Sequence, residues 1–173
     1  MSDFRVLGCD PGKLNFAWAV YGDAGLEDHG VIEGAPDIDA LTAAAARFER
    51  IIRHTEPDAC ALERFHQRPG KGAVRNMEVV NLLIGECLII CRHYRIPWLL
   101  VTAAAHKAWT PRNFEVEVKE IVKKGEIGKK YDLSSYEEWR ELPTDHEVDA
   151  ANLAKYAHDH KLLELRRELQ GDD

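Results

Sequence analysis

Three acidic side chains and one histidine stand where a chain that folds back on itself can gather them. Asp10 ends the mostly apolar run Phe4-Arg5-Val6-Leu7-Gly8-Cys9 and opens the turn signal Asp10-Pro11-Gly12. Glu63 ends a second short apolar run, Ala59-Cys60-Ala61-Leu62. His146 and Asp149 are three residues apart at the start of a final helical segment, so a helix there presents both on one face. Each signal alone is commonplace: a turn, a rim glutamate, a solvated pair at a helix start. Taken together they form an oxygen-rich set with one imidazole, which suits Mg²⁺ or Mn²⁺ rather than zinc. Two such ions, roughly 3.5–4 Å apart, can activate a water and stabilise the leaving oxygen of a phosphodiester. Asp145 is adjacent in sequence, but its position suits capping of the last helix better than metal binding.

The elements that must position these residues can be read from punctuation and period. Phe4 to Cys9, Phe16 to Tyr21 and Leu26 to Glu33 read as three strands of an antiparallel meander, separated by Gly and Pro signals. From Asp37 or Asp39 the period turns helical through Leu41, Ala45, Phe48, Ile51 and Ile52. Ala59 to Leu62 is a short strand, about 76–93 a long apolar helix, and Trp98 to Val101 another strand. Residues 103–143 are charged and mixed, with a helix expected near 114–124 and turns through Gly125 and Gly128. A last helix is expected from about Thr144 to His160. The order β-β-β-α-β-α-β-α implies an α/β fold: a mixed five-stranded sheet, three strands antiparallel and the others parallel, flanked by helices. It is the element order of the ribonuclease H-like fold, expected here as a single domain over 1–173. If strands one and four are neighbours, Asp10 and Glu63 converge at their carboxyl ends, where such sheets bind ligands.

Composition sets further limits. The 173 residues suffice for one buried core, and 45% hydrophobic with 31% charged residues describes a soluble globular domain. No apolar run approaches the roughly 20 residues of a membrane span, and no signal peptide is visible, so a cytoplasmic protein is expected. Cys9, Cys60, Cys87 and Cys91 sit in apolar runs without a CxxC pair and read as reduced core residues. The net charge is −7, yet its distribution is uneven: residues 1–63 carry 5 basic and 12 acidic side chains, 64–130 carry 13 and 6, and 131–173 carry 5 and 12. A basic middle between acidic ends can make a positive surface on an acidic protein.

With these motifs in order, the chain resembles the RuvC-type Holliday-junction resolvases. Val6-Leu7-Gly8-Cys9-Asp10-Pro11-Gly12 followed by Ala17-Trp18-Ala19-Val20 looks like the family's first strand, catalytic Asp and second strand. Ala61-Leu62-Glu63-Arg64-Phe65 looks like its second catalytic segment, and Leu142 to Ala154 like its closing helix, whose two metal-binding residues are three apart. Members use Asp or His at the first of those two positions, so His146 is an acceptable match. The resemblance spans about Phe4 to His158. It implies that Asp10, Glu63, His146 and Asp149 hold two divalent ions, Mg²⁺ or Mn²⁺, and that the chain nicks four-way junctions and related branched DNA in pairs. His146 would bind metal through a neutral imidazole or position the attacking water.

DNA contacts are expected from two basic sets. The stretch 64–75 holds Arg64, Arg68, Lys71 and Arg75 with no acid, suiting phosphates, and the resemblance implies that Phe65 or His66 stacks on a base. The second set includes Lys107, Arg112, Lys119 and Lys123, with Lys124, Lys129 and Lys130. There the chain departs from the family: His106-Lys107-Ala108-Trp109-Thr110-Pro111-Arg112 replaces the usual compact lysine block, and an acidic, Trp-bearing stretch, Tyr131 to Glu141, is inserted. That divergence is compatible with a phage-type variant. Helix 76–93 is apolar around much of its circumference, which fits burial in a monomer or the family's dimer interface, and a homodimer is expected. Alternatives are action on another nucleic acid such as an RNA–DNA hybrid, or junction binding without cleavage. A nucleotide cofactor is not expected, because an actin- or sugar-kinase-like ATPase needs a second lobe for which 173 residues leave no room.

Overall fold

The computed structural model describes residues 4–11, 15–33, 38–64, 74–123 and 126–170. Its elements are β1 (Val6–Pro11), β2 (Asn15–Gly22), β3 (Gly25–Glu33), α1 (Ile38–Thr55), β4 (Ala59–Arg64), α2 (Val74–His93), β5 (Trp98–Thr102), α3 (Ala103–Asn113), β6 (Glu117–Lys123), β7 (Glu126–Asp132) and α4 (Asp145–Gln170), with two 3-10 turns, Leu133–Ser135 and Glu137–Trp139, before α4. The main sheet has five strands in the order β3-β2-β1-β4-β5. β1 pairs antiparallel with β2 and parallel with β4, and β4 parallel with β5. Among the described residues no helix is long and apolar enough to cross a membrane.

Strand alternation sorts side chains onto two unequal faces. Leu7, Cys9, Phe16, Val20, Cys60 and Leu62 pack with Phe48 and Ile52 of α1 and Leu83, Cys87 and Cys91 of α2. The other face carries small residues, Ala17, Ala19, Ala59 and Ala61, and is covered by Val148, Ala150, Ala151, Leu153, Ala154 and Ala157 of α4. Small residues on both partners let α4 lie close to the sheet, and Gly8 of the central strand is the closest point. A Cβ on Gly8 would stand 2.6 Å from the Ala154 amide nitrogen and 2.8 Å from its Cβ, with the Ala150 carbonyl oxygen nearer still. The four cysteines are free and buried.

Two expectations for residues 103–143 are overturned. The helix expected near 114–124 is instead β6, paired in an antiparallel hairpin with β7, and Gly128 lies within β7 opposite Ile121. Glu and Lys give this segment helical character, but the β-branched Val118, Ile121 and Val122 and the partner strand decide for a hairpin. The stretch after Thr102, where the sequence pattern marks no element, forms α3, capped by the Thr102 side chain accepting from the Ala105 amide at 3.3 Å. Its buried residues are His106 and Thr110, both polar, so no apolar stripe marks it.

The Trp-bearing stretch has a packing role. Trp139 is fully buried among Ala17, Ala19, Tyr21 and Ala151, edge-on to Tyr21 and Tyr136. Glu138 accepts from the hydroxyls of Tyr21 (3.0 Å) and Tyr136 (2.6 Å) and lies 3.6 Å from the Lys155 ammonium. The segment thus seals the space beside α4 that alanines leave over β2.

Candidate active site

Alternation determines which way the two strand-end carboxylates face. Val6 and Gly8 face α4 while Leu7 and Cys9 face α1 and α2, so Asp10 faces α4; by the same count Ala59 and Ala61 put Glu63 on that side. The β1–β4 register ends at Cys9 opposite Leu62, which sets Asp10 and Glu63 one residue beyond, side by side on parallel strands. α4 begins above them. Thr144 caps it, its hydroxyl accepting from the Glu147 amide at 3.2 Å and donating to the Glu147 carboxylate at 2.8 Å. The cap therefore belongs to Thr144, and Asp145, expected to help cap, is the first helical residue. This start projects His146 and Asp149 toward the sheet.

Of the four residues singled out from sequence, His146 and Asp10 are in contact, and Glu63 and Asp149 lie near enough to act on the Asp10 charge. His146 Nδ1 lies 3.0 Å from Asp10 Oδ2. Burial pushes the Asp10 carboxyl up from its ordinary range; the His146 hydrogen bond opposes this, while the charges of Glu63 and Asp149 add to it. For Glu63, burial likewise pushes upward, but the hydrogen bond from His106 and the nearby Lys107 charge outweigh it and leave the carboxyl below its usual range. Lys107, expected as a DNA contact, lies inside the cluster. Its ammonium is 2.5 Å from Asp149 Oδ2. Burial favours loss of its proton, but Asp149, Glu63 and Asp10 together hold it above the ordinary lysine value.

This arrangement tests the fit of a divalent cation. Among the described residues no three His, Cys, Asp or Glu side chains are gathered closely enough to hold one ion. Each carboxylate is turned to its own partner: Asp10 to His146, Glu63 to His106, Asp149 to Lys107. Yet three carboxylates that act on one another electrostatically, with an ammonium drawn in among them, form a cluster that requires positive charge. The donor set is oxygen-rich and hard, so its chemistry is the kind that suits Mg²⁺ or Mn²⁺, while its side chains are not drawn around a single point.

The expected DNA contacts divide. Phe65, His66, Arg68 and Lys71 lie outside the described residues, as do the side chains of Arg75 in α2 and Lys123 in β6. Arg64 is exposed at the end of β4, and Arg112 is exposed in the last turn of α3. Lys119 is exposed on β6 and paired with Asp132. From Lys107 and Asp149 a cavity of about 510 Å³ runs to the hairpin, where Lys119, Lys129, Lys130 and Tyr131 line it.

Sequence reasoning missed a buried chain of polar groups behind Glu63. His106 Nε2 lies 2.8 Å from Glu63 Oε2, Asn152 Nδ2 lies 2.8 Å from His106 Nδ1, and Thr110 Oγ1 bonds Asn152 Oδ1. The available signals were Thr102 ahead of three alanines, a good helix start, and Asn152 three residues after Asp149 on the same helical face.

A mixed sheet in this strand order, with an acidic cluster at the carboxyl ends of β1 and β4 and a helix closing over it, is a ribonuclease H-like fold. The structure matches that of RuvC from Thermus thermophilus with a TM-score of 0.63 and 18% identity, over 94% of this chain and 98% of that one. It matches T. thermophilus RuvC in complex with a Holliday junction substrate with a TM-score of 0.61 and 16% identity, over 90% and 95% of the two chains. It also matches the yeast mitochondrial Holliday junction resolvase Ydc2, with a TM-score of 0.58 and 13% identity over 98% of this chain and 81% of that one. At these identities the likeness is one of fold. No protein-family model and no curated protein matches the chain.

Proposed function

We propose that this chain is a divalent-metal-dependent endonuclease that resolves four-way DNA junctions, acting as a single nuclease domain. The observation that carries this reading is the placement of Asp10, Glu63 and Asp149, from β1, β4 and α4, about the Lys107 ammonium, with His146 bonded to Asp10. Asp10, Glu63, Asp149 and His146 would hold Mg²⁺ or Mn²⁺, which supplies an activated water and charge stabilisation at the leaving oxygen. The protein's part is positional. The strand ends fix two carboxylates, and α4 holds the other two groups at a set height above them. The exposed His146 imidazole, on the solvent side of Asp10, is suited to orient a water or take its proton. Lys107 offers three N–H donors beside Asp149, suited to a non-bridging phosphate oxygen.

The reading is tested by cleavage of a synthetic four-way junction beside a matched linear duplex, with Mg²⁺, Mn²⁺ or EDTA. Symmetric nicks near the crossover, metal-dependent and absent from the duplex, are expected. Binding without cleavage under every condition would make it a junction-binding module, and cleavage of RNA–DNA hybrids alone would move the substrate to that class.

Basic residues on the hairpin supply the second half of the reading. Lys119 and Lys130 face each other across the β6–β7 ladder, a like-charge pair that costs stability unless anions neutralise it, and Asp132 relieves only Lys119. The exposed Val118–Tyr131 cross-strand pair, next along the ladder and so on the other face of the hairpin, offers a flat apolar surface for a base. Replacing Lys129 and Lys130 together by Glu should weaken junction binding and reduce the slope of log affinity against log salt by about two, one for each phosphate that is no longer neutralised. An unchanged slope would remove the hairpin from the DNA surface.

A homodimer suits a junction with two-fold symmetry. In its support, α2 exposes Leu82 (56%) and Ile89 (64%), one heptad apart, and Trp98 and Leu100 of the edge strand β5 are exposed on the sheet face that α2 covers. Leu82→Glu with Ile89→Glu should convert a dimeric mass in light scattering to a monomeric one and uncouple the paired nicks. A wild-type chain that is already monomeric would contradict the dimer.

A further inference from the structure

We propose that His106 is a positioning residue for the candidate metal site, held by Asn152 and Thr110 so that its Nε2–H fixes one oxygen of the Glu63 carboxylate. The inference rests on the nuclease reading of the same site and adds residues to it. Its geometry is a continuous buried chain running from Glu63 through His106 and Asn152 to Thr110.

The direction of every hydrogen bond in that chain follows from one end. An ionised carboxylate only accepts, so His106 Nε2 donates to Glu63 Oε2 at 2.8 Å. In that tautomer Nδ1 is an acceptor, and it takes the Asn152 Nδ2–H at 2.8 Å. Asn152 therefore turns its carbonyl oxygen to Thr110, whose hydroxyl donates to it. Reversing any one link would leave two donors or two acceptors facing each other elsewhere in the chain. His106, Asn152 and Thr110 are all 0% exposed, so water cannot repair such a mismatch.

Burial also decides what kind of role this is. The His106 ring has no exposed surface and both its nitrogens are engaged, so it cannot reach a substrate or take a proton from one. It can do one thing for the site, which is to hold Glu63. Glu is the most flexible of the carboxylate donors here, with one more rotatable bond than Asp10 or Asp149. Pinning Oε2 leaves Oε1 as the free oxygen on a side chain that no longer samples other rotamers. Thr110 lies one helical turn after His106, and Asn152 lies three residues after Asp149 on α4. One network thus ties α3 to α4 and registers Glu63 against Asp149. Polar partners that orient metal ligands commonly matter about 10–100-fold in metal affinity or activity.

The test measures Mn²⁺ affinity by electron paramagnetic resonance or titration calorimetry, and thermal stability, beside cleavage. The key variant is His106→Leu with Asn152→Leu, which removes both facing polar groups: the Thr110 hydroxyl keeps the backbone carbonyl of residue 106 as its acceptor at 3.2 Å, and Glu63 Oε2, the atom under test, loses its donor. It should keep a folded midpoint while binding Mn²⁺ about 10–100-fold more weakly. His106→Gln retains an N–H donor and should bind Mn²⁺ more tightly than the double variant, with cleavage recovering in step as metal is raised. A folded double variant with wild-type Mn²⁺ affinity overturns the role, as does a His106→Gln variant no better than the double one. A separate control judges the underlying reading: wild-type protein that binds Mn²⁺ no more tightly than Asp10→Asn lacks the metal site altogether, and the proposal falls with it.

Discussion

Asp10→Asn should abolish junction cleavage while leaving the fold and the affinity for junction DNA in place. The amide has nearly the shape of the carboxylate and can still accept from His146, so packing at the end of β1 is preserved. What disappears is one of three negative charges that together would hold the metal. Metal-derived stabilisation of the transition state is worth several kcal/mol, and about 4 kcal/mol corresponds to roughly a thousandfold in rate. The same charge costs the protein stability when no metal is bound. Asp10 is largely buried, and burial together with Glu63 and Asp149 raises its proton affinity above the ordinary value. For an acid whose folded-state affinity for the proton is raised, folding disfavours the ionised form, so the stability cost is present at neutral pH and relieved as pH falls through the raised value. Asp10→Asn should therefore melt at or above the wild-type temperature in EDTA. In Mn²⁺ the order should reverse, because only the wild type gains fully from binding. A variant that unfolds in EDTA would make Asp10 a structural turn residue, and one that still cuts at the wild-type rate would remove it from the site.

The legible part of this molecule follows from patterns with one reading. Six to nine strand residues bounded by Gly or Pro mark β1 to β3, and alternation then sets the face on which Asp10 and Glu63 stand. The spacing of His146 and Asp149 needs only that a helix begin near Thr144, and the Thr144–Glu147 pairing supplies that start. What sequence hid is polar burial. A helix whose inward face is His106 and Thr110 has no apolar period, so α3 reads as irregular chain and Lys107 as a surface cation. Lys107 becomes part of the site only because α3 packs against α4, a contact between distant segments that neither segment announces. The hairpin was hidden for a different reason. Apolar residues at 114, 118, 121 and 122 fit a helical period, and the residues that favour a strand matter only once β7 is there to pair with them.

Gly8→Ala should destabilise the protein out of proportion to the single methyl it adds, and should impair the site before it unfolds the chain. Cores resist added volume at about 1–3 kcal/mol when neighbours must shift, and here two of the three nearest atoms are backbone. The Ala150 carbonyl oxygen and the Ala154 amide nitrogen belong to the helix ladder, so they cannot yield by changing rotamer. The only relief is for α4 to move off the sheet. Asp149 is the residue before Ala150, and such a movement carries it away from Asp10 and Glu63; a displacement of about 1 Å in a catalytic arrangement can cost about a hundredfold in rate. Gly8→Ala protein, assayed well below its melting temperature, should thus show weak Mn²⁺ binding and slow cleavage while still folded, and Gly8→Val should be worse on both counts. Adding Ala154→Gly to Gly8→Ala removes the one side-chain obstacle, the Ala154 Cβ at 2.8 Å, and leaves both backbone atoms in place. Rescue should accordingly be partial. Full rescue would mean that a single methyl contact sets the height of α4, and wild-type stability in Gly8→Ala itself would mean that α4 does not lie this close to the sheet in solution.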